Sequence, residues 1–328
     1  MIAAPTVPAP VRTPRIIHDE PARADRLFNR VTMAAGLSVL VLLTLVGVFL
    51  LYQSRDAVGE TGVWTFLTRT EWRTDVNPPR VGVLGLLVGT VLVALVAVSV
   101  AVPFGVTAAL FITEYAGNRM RRWLVALVDL LAAIPSLLFG LWGFLYLSPL
   151  VVPLSQWLTD HLGWIPIFST DEGASLTGSI FIAGLVVSLM VIPIVASIVR
   201  EVFAQTPPGE KEAALALGAT RWGMIRTVVL PFGRGGILGG SMLGLGRALG
   251  ETIAVALLLP QIPEVSTKIL QNGGATVSGF IAGNAGGSPF TVSGLMAAGL
   301  VLFLITLSTN MVASVIVNRS RSGQGVDL

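Results

Sequence analysis

Cysteine is absent from this chain of 328 residues, histidine occurs twice, and lysine is confined to Lys211 and Lys268. Without cysteine there is neither a disulfide framework nor a thiolate metal site, and His18 and His161 lie in different polar segments, which argues against a metal centre. A phosphate-cradling loop of the form G-x-x-x-x-G-K-[ST] needs a glycine directly before a lysine. Lys211 follows Glu210 and Lys268 follows Thr267, so any ATP that drives this protein binds another polypeptide, with its Mg. Charge is scarce as well. Charged residues form 12% of the chain, about half the share of soluble globular proteins, and this composition speaks against a water-soluble fold.

What is abundant is apolar: 53% of residues, gathered in runs of about 20 or more, enough to cross a hydrocarbon core of roughly 30 Å. The runs predict an all-α integral membrane protein with six transmembrane helices near 32–52, 81–113, 123–147, 177–199, 236–260 and 291–317. The second is longer than one straight crossing needs, and Pro103 marks a bend or break in it. Membrane β-barrels alternate apolar and polar residues, and these runs do not. Lys and Arg are distributed unevenly between the runs. Fifteen lie in the N-terminal tail, around Arg119 to Arg122, between Arg200 and Arg234, and at the C-terminus; five lie in the opposite set of segments. Because basic short loops stay in the cytoplasm, both termini are expected there, in a multi-pass protein of the plasma (cytoplasmic) membrane. Positive-inside loops also account for the net charge of +3 more simply than nucleic acid does.

The proline- and arginine-rich stretch 1–31 reads as a disordered cytoplasmic tail, and 318–328 as a second one, flanking a permease domain over 32–317. A cleaved signal peptide is the alternative for the start of the chain, but the apolar run is longer than an h-region and leads into Tyr52-Gln53-Ser54-Arg55. On the outward side, Trp64 and Trp72 suit interfacial anchors, and the glycine-rich segment 261–290 holds a short apolar stretch at 277–282 that fits a short helix or a re-entrant piece.

The inward segment 200–235 is long and helix-forming. Pro207 and Pro208 suit a first turn, Glu210 and Glu212 bring negative charge to the helix start, Gly218 ends the helix, and Thr220 caps a second one running to Leu230, where Pro231 interrupts it. Glu212-Ala213-Ala214, Gly218 and Leu230-Pro231, with Val228 between the last two groups, resemble the E-A-A-x3-G-x9-I-x-L-P signature of bacterial ABC importer permeases, with Val for Ile. The resemblance implies that this helix docks on an ATPase subunit. An ordinary amphipathic surface helix is the plainer alternative.

Arg247 and Glu251 stand four residues apart within an apolar run, on one helix face. Arginine at mid-membrane costs about 2.5–3.5 kcal/mol on insertion scales, so the pair must face protein or water. It is either a salt bridge that only fixes packing, or a site on a translocation path where guanidinium offers a planar fork of donors to an anion. Gly236, Gly240, Gly244, Gly246 and Gly250 recur at a spacing that suits close helix approach rather than dinucleotide binding.

Arg247-Ala248-Leu249-Gly250-Glu251-Thr252 resembles the R-A-x-G-E-T signature of phosphate-specific (Pst) permeases, whereas sulfate and molybdate permeases read R-A-x-G-E-F-G. Val88-Gly89-Thr90, Ala101-Val102-Pro103, Glu114-Tyr115-Ala116 and Ala133-Ile134-Pro135-Ser136 extend the resemblance, and Ile253-Ala254-Val255 places it nearer the PstC-type subunit than the PstA-type. The resemblance implies a type I ABC importer permease fold with no cofactor of its own. It also implies a second permease (PstA-type), two ATPase subunits (PstB-type) and an external phosphate-binding protein (PstS-type), with phosphate passing Arg247, Glu251 and Thr252. A sulfate- or molybdate-type ABC permease, a secondary anion transporter using the Arg247 and Glu251 pair, and a membrane scaffold without transport are the rival readings.

Overall fold

A computed structural model of the chain describes residues 23–321, with side chains described for 25–315. The expected tails therefore fall outside the described residues over 1–22 and 322–328. Residues 318–321 correct the second of them, since the last helix continues to Arg321, and residues 23–31 correct the first, because helix α1 already starts at Arg23 and runs to Gln53. Its polar first turns need no buried partner, so nothing stops the helix from extending beyond the apolar run.

Helices α2 (Arg55–Thr61) and α3 (Val63–Thr68) follow, then a two-stranded antiparallel hairpin of β1 (Trp72–Arg73) and β2 (Arg80–Val81), with Trp72 opposite Val81. Next come α4 (Leu84–Leu110), prolonged by a π turn at Phe111–Tyr115, then α5 (Asn118–Ala133) and α6 (Ser136–Trp142). A second π turn at Gly143–Leu147 leads into α7 (Ser148–Leu162). Helices α8 (Ile180–Ala204), α9 (Pro208–Ala216) and α10 (Arg221–Met224), a π turn at Ile225–Val229, α11 (Leu230–Leu249), α12 (Ile253–Leu258), α13 (Val277–Asn284) and α14 (Pro289–Arg321) complete the described chain. Among the described residues six helices are long and apolar enough to cross a membrane, which makes this an all-α multi-pass membrane protein.

Three expectations need correcting. Pro103 does not break α4, which continues helically to Leu110. The third run is not one helix over 123–147: it breaks at Ile134 and Pro135, because proline disfavours the α conformation of the residue before it, and the long continuous helical stretch is Ser136–Leu162. In the fifth run Pro231 interrupts nothing, since the π turn at Ile225–Val229 lets the helix absorb a residue without an N–H and α11 carries on to Leu249. That helix stops short of the expected 260, and Gly250 to Thr252 separate it from α12.

Contacts divide the chain into two units, residues 1–48 and 49–328. In the first, α1 is exposed around its whole circumference from Asp25 to Val46, as suits an apolar helix surrounded by lipid. The second is built on α8, whose apolar window is 67% buried. Lipid tails supply no hydrophobic drive for helices to associate, so close packing must do so, and small residues permit it. A Cβ at Gly184 of α8 would lie 2.5 Å from Val96 of α4, and one at Gly105 of α4 would lie 2.8 Å from Val195 of α8. On the other side Gly236, Gly240 and Gly244 of α11 sit against Val202, Val199 with Ile198, and Val191 of α8, as the four-residue spacing implies. Gly246 and Gly250 do not continue this seam. Gly246 faces Asn310 of α14, and Gly250 closes the end of α11.

A second apolar cluster caps the end where the hairpin lies, formed by Phe66, Val81, Val83, Leu86, Val277, Phe280 and Leu295. Trp64 is exposed as an anchor would be, but Trp72 is instead packed edge-on between Phe66 and Phe280, at ring distances of 6.5 and 5.2 Å.

The seam between α4 and α8 yields a direct test. Gly184→Leu is expected to force these helices apart and cost about 1–3 kcal/mol as overpacking, read as a lower unfolding midpoint in detergent. Gly36→Leu on α1, where a Cβ meets nothing within 4 Å, should leave the midpoint unchanged. Equal effects at the two positions would refute the packing argument.

Candidate functional site

Two groups of sequence-predicted residues occupy opposite halves of the second unit. The first is the hairpin of α9 and α10. Pro208 opens α9, and Glu212 and Ala213 are exposed on it, while Ala214 is half-buried. At its end the Gly218 N–H donates to the Leu215 carbonyl (3.0 Å) and the Ala219 N–H to the Ala214 carbonyl (3.1 Å), with Gly218 at φ +88. This pair of bonds satisfies the orphan carbonyls of a helix end and requires the left-handed conformation that glycine adopts without strain. Thr220 then caps α10 by accepting from the Gly223 N–H at 3.1 Å. Leu230 packs against the core and Pro231 lies in the first turn of α11, so both belong to the base of the hairpin and not to its tip. The hairpin displays Leu215, Trp222 and, at 89% exposure, Leu217.

The second group surrounds the break after α11. Arg247 sits in the last turn of that helix, where a cation complements the helix C-terminus. Glu251 lies beyond the helix end, yet the pair still forms: Arg247 Nη2 is 3.3 Å from Glu251 Oε2. The partners differ in burial. The Glu251 side chain is 3% exposed and the Arg247 side chain 45%. Glu251 Oε1 also accepts from the Ala254 N–H at 3.4 Å, so the carboxylate serves the start of α12 as well as the arginine. Thr252, half-buried, turns its hydroxyl back to the Gly250 carbonyl at 3.2 Å.

The short helix α13 holds this break from the other side. Ser278 Oγ donates to the Glu251 carbonyl at 2.6 Å, the Val277 N–H donates to Thr90 Oγ1 of α4 at 3.0 Å, and Thr276 caps α13 through the Gly279 N–H. Gly89 is required alongside, because a Cβ there would meet the Ala275 carbonyl oxygen at 2.0 Å. The expected short helix within 261–290 thus exists, and its N-terminal residues connect Gly89 and Thr90 to Glu251. Nothing in the chain's periodicity pairs Ser278 with Glu251, which are far apart in sequence.

Three polar residues escaped the sequence reading. Asn310 of α14 faces Gly246, next to Arg247. Asp129 falls in the expected third span, is exposed on α5, and has no hydrogen bond or ion pair among the described residues. It lies within a turn of Leu131, which lines an apolar cleft of about 500 Å³ with Ile134 and with Leu189, Ile192 and Pro193 near the middle of α8. Asp171 links the two loops at the hairpin-capped end. It takes hydrogen bonds from Lys268 Nζ at 2.5 Å and Gln271 Nε2 at 3.2 Å, beside backbone bonds from Ile269 to Ile167 and from Asn272 to Ser175.

Residues 101–322 match the family described as binding-protein-dependent transport system inner membrane component. The phosphate transport system permease protein PstC 2 of Mycobacterium tuberculosis is 42% identical over 306 residues, covering 92% of this chain and 94% of that protein. The phosphate transport system permease protein PstC of Xylella fastidiosa is 37% identical over 307 residues, covering 93% and 94%. Among solved structures, a bacterial ABC transporter involved in the import of the acidic polysaccharide alginate shares 16% identity at a TM-score of 0.49, over 90% of this chain and 99% of that one.

The loop tie carries a pH dependence. The hydrogen bond from Lys268, then that from Gln271, and then the lysine's charge hold the Asp171 carboxyl below its ordinary value of 3.8. A depressed carboxylate contributes its stabilisation above the unfolded value and loses it as pH falls through the folded one. Protection from hydrogen exchange across 165–180 and 261–276, taken relative to the intrinsic rate at each pH, should therefore hold from neutral pH down to about 4 and fall below that. Asp171→Asn should be less protected at neutral pH and show no acid step; an unchanged profile in that variant would remove Asp171 as the tie.

Proposed function

The chain belongs to the binding-protein-dependent transport system inner membrane components, among the phosphate permeases of PstC type, and from that premise we infer that it is the pore-forming subunit of an ATP-driven phosphate importer. The observation that carries the path assignment is the asymmetry of the Arg247 and Glu251 pair. The carboxylate is buried and the guanidinium is left 45% exposed, so the arginine's donors are not all spent on holding the helices together. The exposed donors can take phosphate oxygens in a planar fork. Glu251, held by the Ala254 N–H and by the Ser278 bond to its own carbonyl, remains in place to take the guanidinium back when the anion leaves. Thr252 adds a hydroxyl at the same break. Thr252 in place of Phe also favours phosphate over sulfate or molybdate.

The energy source lies on a pair of ATPase subunits that bind ATP and Mg, docked on the hairpin of α9 and α10. Exposed Leu217, Leu215 and Trp222 support this, since a large apolar patch at a polar end marks an interaction surface. Both termini and that hairpin face the cytoplasm, in keeping with the excess of arginine and lysine on those segments. A second permease completes the pore, and an external phosphate-binding protein delivers the substrate. Exposed Asp129 supports a protein neighbour or a water-filled path at that depth, because a bare carboxylate facing lipid is costly.

Vesicles rebuilt with the partner subunits, with and without this chain, test the assignment through ATP-dependent phosphate uptake, with sulfate and molybdate as competitors. Arg247→Gln should assemble normally and lose about 10- to 100-fold in uptake, the equivalent of the roughly 1.5–3 kcal/mol of a charged hydrogen-bonding contact. Arg247→Lys, which keeps the charge and loses the fork, should fall between. Near-normal uptake by a well-assembled Arg247→Gln complex would exclude the path role and leave packing as the account.

At the hairpin, a Cβ on Gly218 meets nothing within 4 Å, so only its backbone conformation resists substitution. Gly218→Asn, which tolerates the left-handed region, is expected to keep the ATPase bound, and Gly218→Val to lose it while membrane insertion persists. Full ATPase copurification with Gly218→Val would refute the docking assignment.

A further inference from the structure

The hairpin of α9 and α10 is continuous with α8 on one side and with α11 on the other, so a displacement of the hairpin reaches those two helices through the chain itself. Helix α4 has no such connection. It ends in the π turn at Phe111–Tyr115, closed by the Ala116 N–H bonding to the Phe111 carbonyl at 2.9 Å, and that turn meets both arms of the hairpin. Glu114 Oε1 accepts from Lys211 Nζ of α9 at 2.6 Å. The guanidinium of Arg221, on α10, lies over the Tyr115 ring at 5.4 Å, and that ring is stacked on Phe111 at 6.4 Å. Unlike an exposed surface pair, the Glu114 side chain is 7% exposed and that of Lys211 is 21%. The chain has only two lysines, and one of them is placed here, beside Glu212. At its far end the same α4 carries Thr90, whose hydroxyl accepts the Val277 N–H and so holds α13 and Ser278 against the Glu251 carbonyl.

Resting on the importer reading above, we propose that Glu114 is a positioning residue for transport: with Lys211, and with Tyr115 under Arg221, it clasps α4 to the ATPase-docking hairpin, so that movement of the hairpin shifts α4 and, through Thr90 and α13, the support of the Arg247 and Glu251 break. The pair touches no substrate. A nearly buried ion pair is suited to this because losing one partner strands the other charge, so hairpin and helix end move together or at considerable cost.

The test uses the complete complex in vesicles and reads phosphate taken up per ATP hydrolysed, beside ATPase copurification and basal hydrolysis. Glu114→Gln and Lys211→Gln should each keep the ATPase bound and hydrolysing while uptake per ATP falls about tenfold, the scale of coupling changes produced by mutations away from both sites. The exchange of Glu114→Lys with Lys211→Glu should restore most of the ratio, which separates the pair from general damage. Three results would overturn the proposal: single variants within twofold of wild type in uptake per ATP; uptake lost only in proportion to ATPase lost from the complex; or an assembled exchange variant as uncoupled as the singles. Failure of the importer reading itself would show differently, as absence of ATP-dependent phosphate uptake by the wild-type complex.

Discussion

A backbone that leaves the helical path at membrane depth must find internal partners for the N–H and C=O groups it frees, because hydrocarbon offers none. The chain leaves that path at Gly250 to Thr252, and much of the surrounding architecture satisfies the consequence. Glu251 supplies an acceptor for the Ala254 N–H, Ser278 supplies a donor for the Glu251 carbonyl, and Gln261 Nε2 reaches the Val255 and Leu259 carbonyls at 3.4 Å each. For Ser278 to be there, α13 must enter from the loop end, which in turn needs Gly89 and Thr90 on α4 and the loops joined at Asp171. The arginine benefits from the same arrangement: its counter-ion is fixed by other bonds, so its own side chain need not be buried to be neutralised.

The two halves of the second unit solve different problems with different forces. Around α8 the helices approach through glycine and alanine, where packing and not water exclusion supplies the attraction. At the capped end, Phe66, Trp72 and Phe280 form an aromatic cluster of the kind that soluble proteins bury. The α9 and α10 hairpin is packed only at its base, through Ala214 and Met224. It leaves Leu217 and Trp222 uncovered, and it is tied to the bundle by polar contacts, Lys211 to Glu114 and Arg221 to Tyr115. Of those base residues, Met224 is buried in the main core with Ile225, and Ala214 rests against it.

Two of the three π turns among the described residues fall near the places for which a function is proposed: at the end of α4 and before α11. Each accommodates one extra residue in a helix, and such bulges are frequent at functional sites. The turn before α11 removes the conflict with Pro231, and the turn after α4 carries Glu114 and Tyr115 on adjacent positions toward the two arms of the hairpin.

The sequence by itself determined the number and apolar character of the spans, the helix, glycine and helix order of the α9 and α10 hairpin, and the charges at 247 and 251. These are local properties: run length against bilayer thickness, the left-handed turn that Gly218 alone takes freely, and four-residue spacing. The end of α11 at Leu249, the break of the third run at Pro135 and the continuation through Pro231 were less legible, because whether a helix survives a proline or glycine depends on which neighbours satisfy the freed groups. Only the tertiary structure decided the unequal burial of Arg247 and Glu251, the bond from Ser278, the capping role of Trp72 and the pairing of Lys211 with Glu114. The physical reason is the same in each case. The groups that surround Glu251, bond to it, cover Trp72 or pair with Lys211 are distant in the chain, and no periodicity records which face of one helix will meet which turn of another.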